Sequence, residues 1–216
     1  QNEGPWRNRA FAGESASWVY AQSSKAVMGN LGFPRTYQTP LRDRPLSAIA
    51  IQAAAGRPTQ GWLTAGAHVL PVALGRGGIK ANKFEGDGAT PRGIFRPVRL
   101  WWRADRYPLP KTHLPVRAIT SADAWSEDPA DRHYNRAVTR KAGEAGDRLM
   151  REDHLYDFII EIDHNTKPRI AKRGSAVFIH LAREKFGPTA GCVGLTRGAM
   201  LRLLERIGPR TKIVIG

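Results

Sequence analysis

The stretch "SAVFIHLAREKFGPTAGCVGL", residues 175–195, holds the only cysteine of the 216-residue chain, Cys192, twelve positions after His180. A cysteine acts as a nucleophile when a base takes its proton and N–H donors face the place where an oxyanion forms. The parts for that chemistry stand close together here. His180 falls near the end of an expected strand, Gly187-Pro188 can turn the chain back, and Gly191 lets the backbone approach a bound carbonyl with no Cβ in the way. A helix expected a few residues after Cys192 would bring positive dipole and free N–H groups to the sulfur and lower its pKa. The competing reading makes Cys192 a small buried hydrophobe and His180 a satisfied core histidine. Residue types and spacing leave both open.

Other chemistries fit less well. A single cysteine allows no internal disulfide and no multi-cysteine zinc site. The histidines at 68, 113, 133, 154, 164 and 180 include no i, i+4 pair that would put two ligands on one helical face, so metal binding is a poor reading.

The elements that must position these residues are mostly strands. "LSAIAIQAAAGRPTQGWLTAGAHVLPVALGRGGI" reads as two or three short strands broken by Gly and Pro, and "IFRPVRLWW" as another after the turn signals of "GDGATPRG". "LYDFIIEIDHN" predicts a buried strand ending at Asn165, "SAVFIHLA" a further one, and "TKIVIG" a last. "TRGAMLRLLERIG" has apolar residues near helical spacing, a Thr196 cap and a stop at Gly208. Residues 103–153 are Pro-rich and polar without clear periodicity, the mark of a functional lid or binding loop. The fold class is therefore mainly β with few helices (α+β). Residues 1–45, rich in Gly, Ser, Pro and Arg, read as an N-terminal extension or linker with a short helix near 16–28, ahead of a domain spanning 46–216.

Thirty-four Lys and Arg against nineteen Asp and Glu give a net charge of +15, which favours a polyanionic partner or surface. The short basic clusters lack the aromatic interleaving of a base-stacking platform, so nucleic acid is not the expected partner. No apolar run reaches the length of a membrane span and none has the layout of a signal peptide.

Thr189-Ala190-Gly191-Cys192-Val193, with its upstream histidine, resembles the Ser/Thr-x-Gly-Cys box of the L,D-transpeptidases, the YkuD-type cysteine enzymes of bacterial peptidoglycan. "GDGATPRGIF" is similar to the Thr-Pro-x-Gly-x-Phe hairpin of those domains, and the resemblance spans about residues 46–216, with "EGDGATPRGIF", "REDHLYD" and "PTAGCVGL" pointing to a proteobacterial branch. Two positions depart from the common box: Ala190 replaces His, and Gly194 stands where an Arg is usual. The resemblance implies a YkuD-like β-sandwich catalytic domain and a two-step acyl transfer that needs no metal or organic cofactor. The Cys192 thiolate, paired with His180, would form a thioester with a peptidoglycan stem peptide, and the side-chain amine of a diaminopimelate in a second stem would resolve it. The N–H groups of Cys192 and Gly191 would bind the oxyanion, and Thr189 would either orient the loop or serve as a turn residue. Donor and acceptor stems would be the partners, and the location would be the periplasm or cell envelope in mature form. The ordinary product joins the third residues of two stems; the two departures raise a link through the first donor residue.

The excursion 103–153 is expected to cover the cleft; Trp125, Tyr134, Asn135 and Arg151 within it, and His154 and Tyr156 just after it, are candidates for holding stem peptide or glycan because they combine stacking surface with hydrogen-bond capacity. Arg183 is a candidate for bidentate contact with a stem carboxylate. Rival readings are a sortase-like acyltransferase, an L,D-carboxypeptidase, and a non-catalytic basic wall-binding module. Papain-like and NlpC-type peptidases have the opposite order, Cys before His.

Overall fold

The structure, a computed structural model, describes residues 44–216 apart from Ala142. The expected helix near 16–28, and all but the last two residues of the expected extension, lie outside the described residues.

The first apolar stretch forms three strands, β1 (Ala48–Ala54), β2 (Arg57–Ala65) and β3 (His68–Ala73), joined by two-residue turns. Gly56 and Gly66 take the positive φ those turns need, at 70° and 61°. Alternation does the rest: Ile49, Ile51, Leu63, Ala65 and Val72 point inward while Trp62, Thr64 and Val69 face out. β4 (Ile79–Lys80) pairs with β5 (Thr90–Pro91) in a small separate ladder around the "GDGATPRG" turn.

"IFRPVRLWW" breaks at Arg96 into β6 (Gly93–Phe95) and β7 (Pro97–Trp102). The chain then forms β8 (Val116–Ala118), β9 (Asp123–Ser126), β10 (Arg136–Thr139), β11 (Asp147–Arg148), β12 (Phe158–Ile162), β13 (Phe178–Leu181), β14 (Val193–Leu195), the helix α1 (Arg197–Leu204) and β15 (Lys212–Ile215). The main sheet has ten strands in the order β6-β15-β1-β2-β3-β14-β13-β12-β7-β8. One residue, Arg96, separates β6 at one edge from β7 next to the other, so the sheet must fold over on itself. That fold-over is the sandwich. Its corner is tied by Arg96 N–H on Asp163 Oδ1 at 2.7 Å and Asp163 N–H on Arg96 O at 3.0 Å.

Strand alternation sends side chains to two cores. Leu100, Phe158, Ile160, Ile179, Leu181, Val193 and Leu195 join Ile49, Ile51 and Leu63 inside the fold-over, where α1 contributes Ala199, Met200, Leu203 and Leu204. Trp101, Ile159, Phe178 and Cys192 face the other way and meet Ile119, Trp125, Leu149, Leu155 and Tyr156.

Several boundaries differ from expectation. The segment 103–153 is no irregular loop: β10-β9-β11 form an antiparallel sheet, and Trp125 and Leu149 are buried under it. Its strands are two to four residues long, too short for a period to show. The strand expected to reach Asn165 stops at Ile162, and "SAVFIHLA" becomes extended only from Phe178, because Ala176 sits at φ 50°. The helix is capped by Thr196 Oγ1, which accepts from Ala199 N–H at 3.2 Å, but ends at Leu204 rather than Gly208.

Candidate active site

β13 and β14 run parallel, with Ile179 opposite Val193 and His180 opposite Gly194. This register sets Cys192 beside Phe178, on the same sheet face as His180, so the two side chains are diagonal neighbours. Gly194 completes the arrangement by being small: a Cβ there would lie 3.1 Å from Ala182 Cα and 3.2 Å from Ala73 Cβ. Any side chain at this position would force these neighbours to give way.

The cysteine sits in a defined cradle. Cys192 is 7% exposed, its Sγ donates to Ala176 O at 3.2 Å, and Phe178 N–H donates to the sulfur at 3.4 Å. Ala176 is itself held, its N–H donating to Asn135 Oδ1 at 3.2 Å. Asn135 Oδ1 also accepts from Trp125 Nε1–H at 3.1 Å, and its Nδ2 donates to His164 O and Asn165 O. The buried pair Trp125–Asn135 therefore braces the carbonyl that receives the thiol proton.

His180 is equally buried, and its Nδ1 lies 2.8 Å from Leu181 O. That contact selects the tautomer with the proton on Nδ1 and leaves the Nε2 lone pair open to a proton. The Tyr156 ring meets the imidazole edge-on at 5.3 Å, and its hydroxyl donates to Asp147 Oδ2 at 2.7 Å. Burial pushes the His180 pKa down to about 4 and the Cys192 thiol up to about 12. Both groups thus rest uncharged at neutral pH. The expected lowering by the helix dipole does not occur, because β14 places about 10 Å of strand between the cysteine and the start of α1, and the dipole fades within a turn.

The loop before Cys192 is fixed from both sides. Thr189 N–H donates to Leu74 O at 2.9 Å and Thr189 O accepts from Arg76 N–H at 2.9 Å. Its hydroxyl donates to Cys192 O at 2.6 Å and accepts Gly191 N–H at 3.1 Å. That bond takes the Gly191 N–H away from the oxyanion role expected of it. The N–H of Cys192 has no hydrogen-bond partner among the described residues. Gly191 has φ 140°, and a Cβ on it would stand 2.8 Å from Ala89 O, so the residue is needed for close approach to the "GDGATPRG" turn. The turn is rigid in its own right: Asp87 accepts from Ala89 N–H, Phe84 N–H and the buried Lys83 Nζ, and Thr90 Oγ1 accepts Gly75 N–H.

A cavity of about 370 Å³ opens over the pair. Of the sequence candidates it brings together Cys192, His180, Gly191, Thr189, Tyr156, Arg151 and Arg183. Arg151 is engaged by Asp153 at 2.7 Å and lies over the Tyr156 ring, whereas Arg183 is exposed and makes no ion pair among the described residues. Trp125 and Asn135 are buried away from the cavity and touch the site only through Ala176. Tyr134 is buried too, its hydroxyl donating to Glu85. His154 binds Ala182 O at 3.0 Å and lines a neighbouring cavity with Tyr107, Arg183 and Phe186.

Sequence reasoning missed Arg76, Lys83, Glu85, Glu127, Asp147 and Ser175 on the cavity wall. Glu85 opens the quoted "EGDG" turn and had that signal; Glu127 and Asp147 sit among other polar residues with none. No group of three or more His, Cys, Asp or Glu among the described residues is placed to hold a metal ion.

Parallel pairing that brings a histidine and a cysteine to one face, at the floor of a walled cavity, is an arrangement able to support cysteine acyl chemistry. The profile of YkuD, the L,D-transpeptidase catalytic domain, matches residues 57–215, and the chain belongs to that family. Among solved structures, L,D-transpeptidase 1 of Mycobacterium tuberculosis aligns at 13% identity and a TM-score of 0.33, covering 78% of this chain and 61% of that one. No curated protein sequence matches the chain.

Proposed function

We propose that residues 46–216 form the catalytic unit of a peptidoglycan L,D-transpeptidase acting in the periplasm or cell envelope, with Cys192 as nucleophile and His180 as base. The observation that carries this is the register of β13 and β14, which puts a thiol and a tautomer-fixed imidazole on one face under a cavity. Because both groups rest uncharged, proton transfer from Sγ to His180 Nε2 accompanies attack on the carbonyl rather than preceding it. The free N–H of Cys192 supports the oxyanion, and the Thr189 hydroxyl holds the loop that presents it. The distal residue of the donor stem leaves with the proton from His180, giving a thioester. A diaminopimelate amine of a second stem then displaces Cys192. Arg183, exposed on the rim, is suited to a stem carboxylate.

The expected product joins the third residues of two stems. Purified protein is incubated with sacculi that lack such links, and the muropeptides are read by tandem mass spectrometry. Dimers should form with the wild type and be absent with Cys192→Ala. Dimers linked through the first donor residue would change the donor register, and shortened monomers without dimers would make the chain a hydrolase. Dimers formed by Cys192→Ala would end the nucleophile assignment.

A further inference from the structure

The cavity over Cys192 carries three carboxylates from separated segments: Glu85 from the turn before β5, Glu127 directly after β9, and Asp147 on β11. Asp147 is satisfied by the Tyr156 hydroxyl at 2.7 Å, with Arg151 no nearer than 3.7 Å. Glu85 accepts from Ser175 Oγ at 2.8 Å and from Tyr134, both neutral donors. Glu127 makes no hydrogen bond or ion pair among the described residues, and the charges that act on it are those of Asp147 and Glu85. Arg76, Lys83, Arg151 and Arg183 share the wall, but Lys83 pairs with Asp87 and Arg151 with Asp153 and Asp147, and among the described residues no cation pairs with Glu85 or Glu127. A second feature of the cavity independently calls for a ligand: His180, 7% exposed, lines it with an Nε2 that has no partner among the described residues.

Like charges gathered around one open carboxylate are stabilised by a cation that enters from outside. The acyl-transfer reading, on which this inference rests, needs such a cation. An amine arrives in water as an ammonium and has to lose a proton before its nitrogen can attack. We propose that Glu127, flanked by Glu85 and Asp147, is the subsite for the ammonium of the acceptor and the base that takes its first proton.

The step balances without a further reagent. The ammonium gives one proton to the Glu127 carboxylate, and the freed nitrogen attacks the thioester carbonyl. The C–N bond forms as the C–S bond breaks, and the second N–H proton passes through His180 to Cys192 Sγ. The free thiol is restored, and Glu127 returns its proton to water. Glu127 is exposed at the cavity wall, and partial desolvation there, reinforced by Asp147 and then Glu85, pushes its carboxyl up to about 7, a value matched to proton transfer at neutral pH. Water needs no ammonium site, so the same wall favours aminolysis of the thioester over hydrolysis.

The test is a partition experiment on the acylated enzyme, in which any effect on acylation cancels. Protein acylated with a tetrapeptide stem is chased with meso-diaminopimelate or with hydroxylamine, which is uncharged at pH 7. The ratio of amide (or hydroxamate) to hydrolysed product is read by mass spectrometry. Glu127→Gln should lower the diaminopimelate ratio by about a hundredfold, the low end for a general base. It should leave the hydroxylamine ratio unchanged and remove the inflection near neutrality from the pH profile of aminolysis, and Glu127→Asp should recover part of the loss. An unchanged diaminopimelate ratio, or an equal fall with both nucleophiles, overturns the proposal. Independently of acylation, an NMR titration of the resting protein with 1,5-diaminopentane should show weaker binding in Glu127→Gln, and equal affinity removes the subsite. Failure of the wild type to form an acyl-enzyme would overturn the acyl-transfer reading instead, while the titration still decides the subsite.

Discussion

The resting protonation state of the Cys192–His180 pair can be read from the acid stability of the fold. In the unfolded chain His180 takes up a proton near its ordinary value of 6.5, whereas in the folded protein burial delays this to about 4. Between those values the unfolded state binds a proton that the folded state does not. The stability tied to His180 is therefore present above pH 6.5 and lost as pH falls toward 4. The gap is about 2.5 pH units, at about 1.4 kcal/mol each, so the loss should reach about 3 kcal/mol near pH 4. His180→Gln keeps a polar side chain of similar reach and removes the titration. Urea unfolding followed by tryptophan fluorescence, from pH 7.5 to 4, gives the stability of both proteins. The two curves should run parallel above pH 7 and change separation below it, the wild type falling by about 3 kcal/mol more than the variant by pH 4. Other groups, including His164, whose pKa burial also lowers, are common to both proteins and drop out of the difference. Curves that stay parallel down to pH 4 would show that His180 binds its proton as readily folded as unfolded, and a wild type that gains stability over the variant as pH falls would show a charged native His180; either result refutes the depressed pKa.

Three further outcomes are expected. Alkylation of Cys192 by iodoacetamide should keep accelerating through pH 10, because burial holds the thiol near 12; a plateau near the free-cysteine value of about 8.5 would contradict this. Gly191→Ala should cost about 1–3 kcal/mol in thermal unfolding and most of the turnover, since its Cβ would meet Ala89 O at 2.8 Å in a backbone conformation that disfavours side chains. Asn135→Ala strips the partner from Ala176 N–H and from two carbonyls, so stability should fall by about 2 kcal/mol or more and kcat should fall with little change in KM. A pure rise in KM would return Asn135 to the role of substrate contact.

How much of this was legible beforehand depended on the distance over which each feature is decided. Strands β1 to β3 follow from alternation of apolar residues and from turns that need glycine, which are properties of ten or twenty consecutive residues. The Thr189-to-Cys192 box and the histidine before it were likewise visible as types and spacing, because the two residues come from adjacent strands joined by one short loop. The thiol pKa moves opposite to the direction the nearby helix predicts: the helix is near in sequence, but the field at the sulfur is set by everything that buries it, and that comes from Phe178, Trp125 and Tyr156 in other segments. Trp125 and Asn135 have the chemistry of substrate contacts, and only the packing of β9 and β10 on β13 turns them into a brace beneath Ala176. Glu127 and Asp147 carry no local pattern that separates them from solvated surface charges, and Glu85 has only its place at the start of the "EGDG" turn. Their meeting in one cavity is a consequence of a fold-over and a small second sheet, contacts between residues dozens of positions apart that no periodicity records.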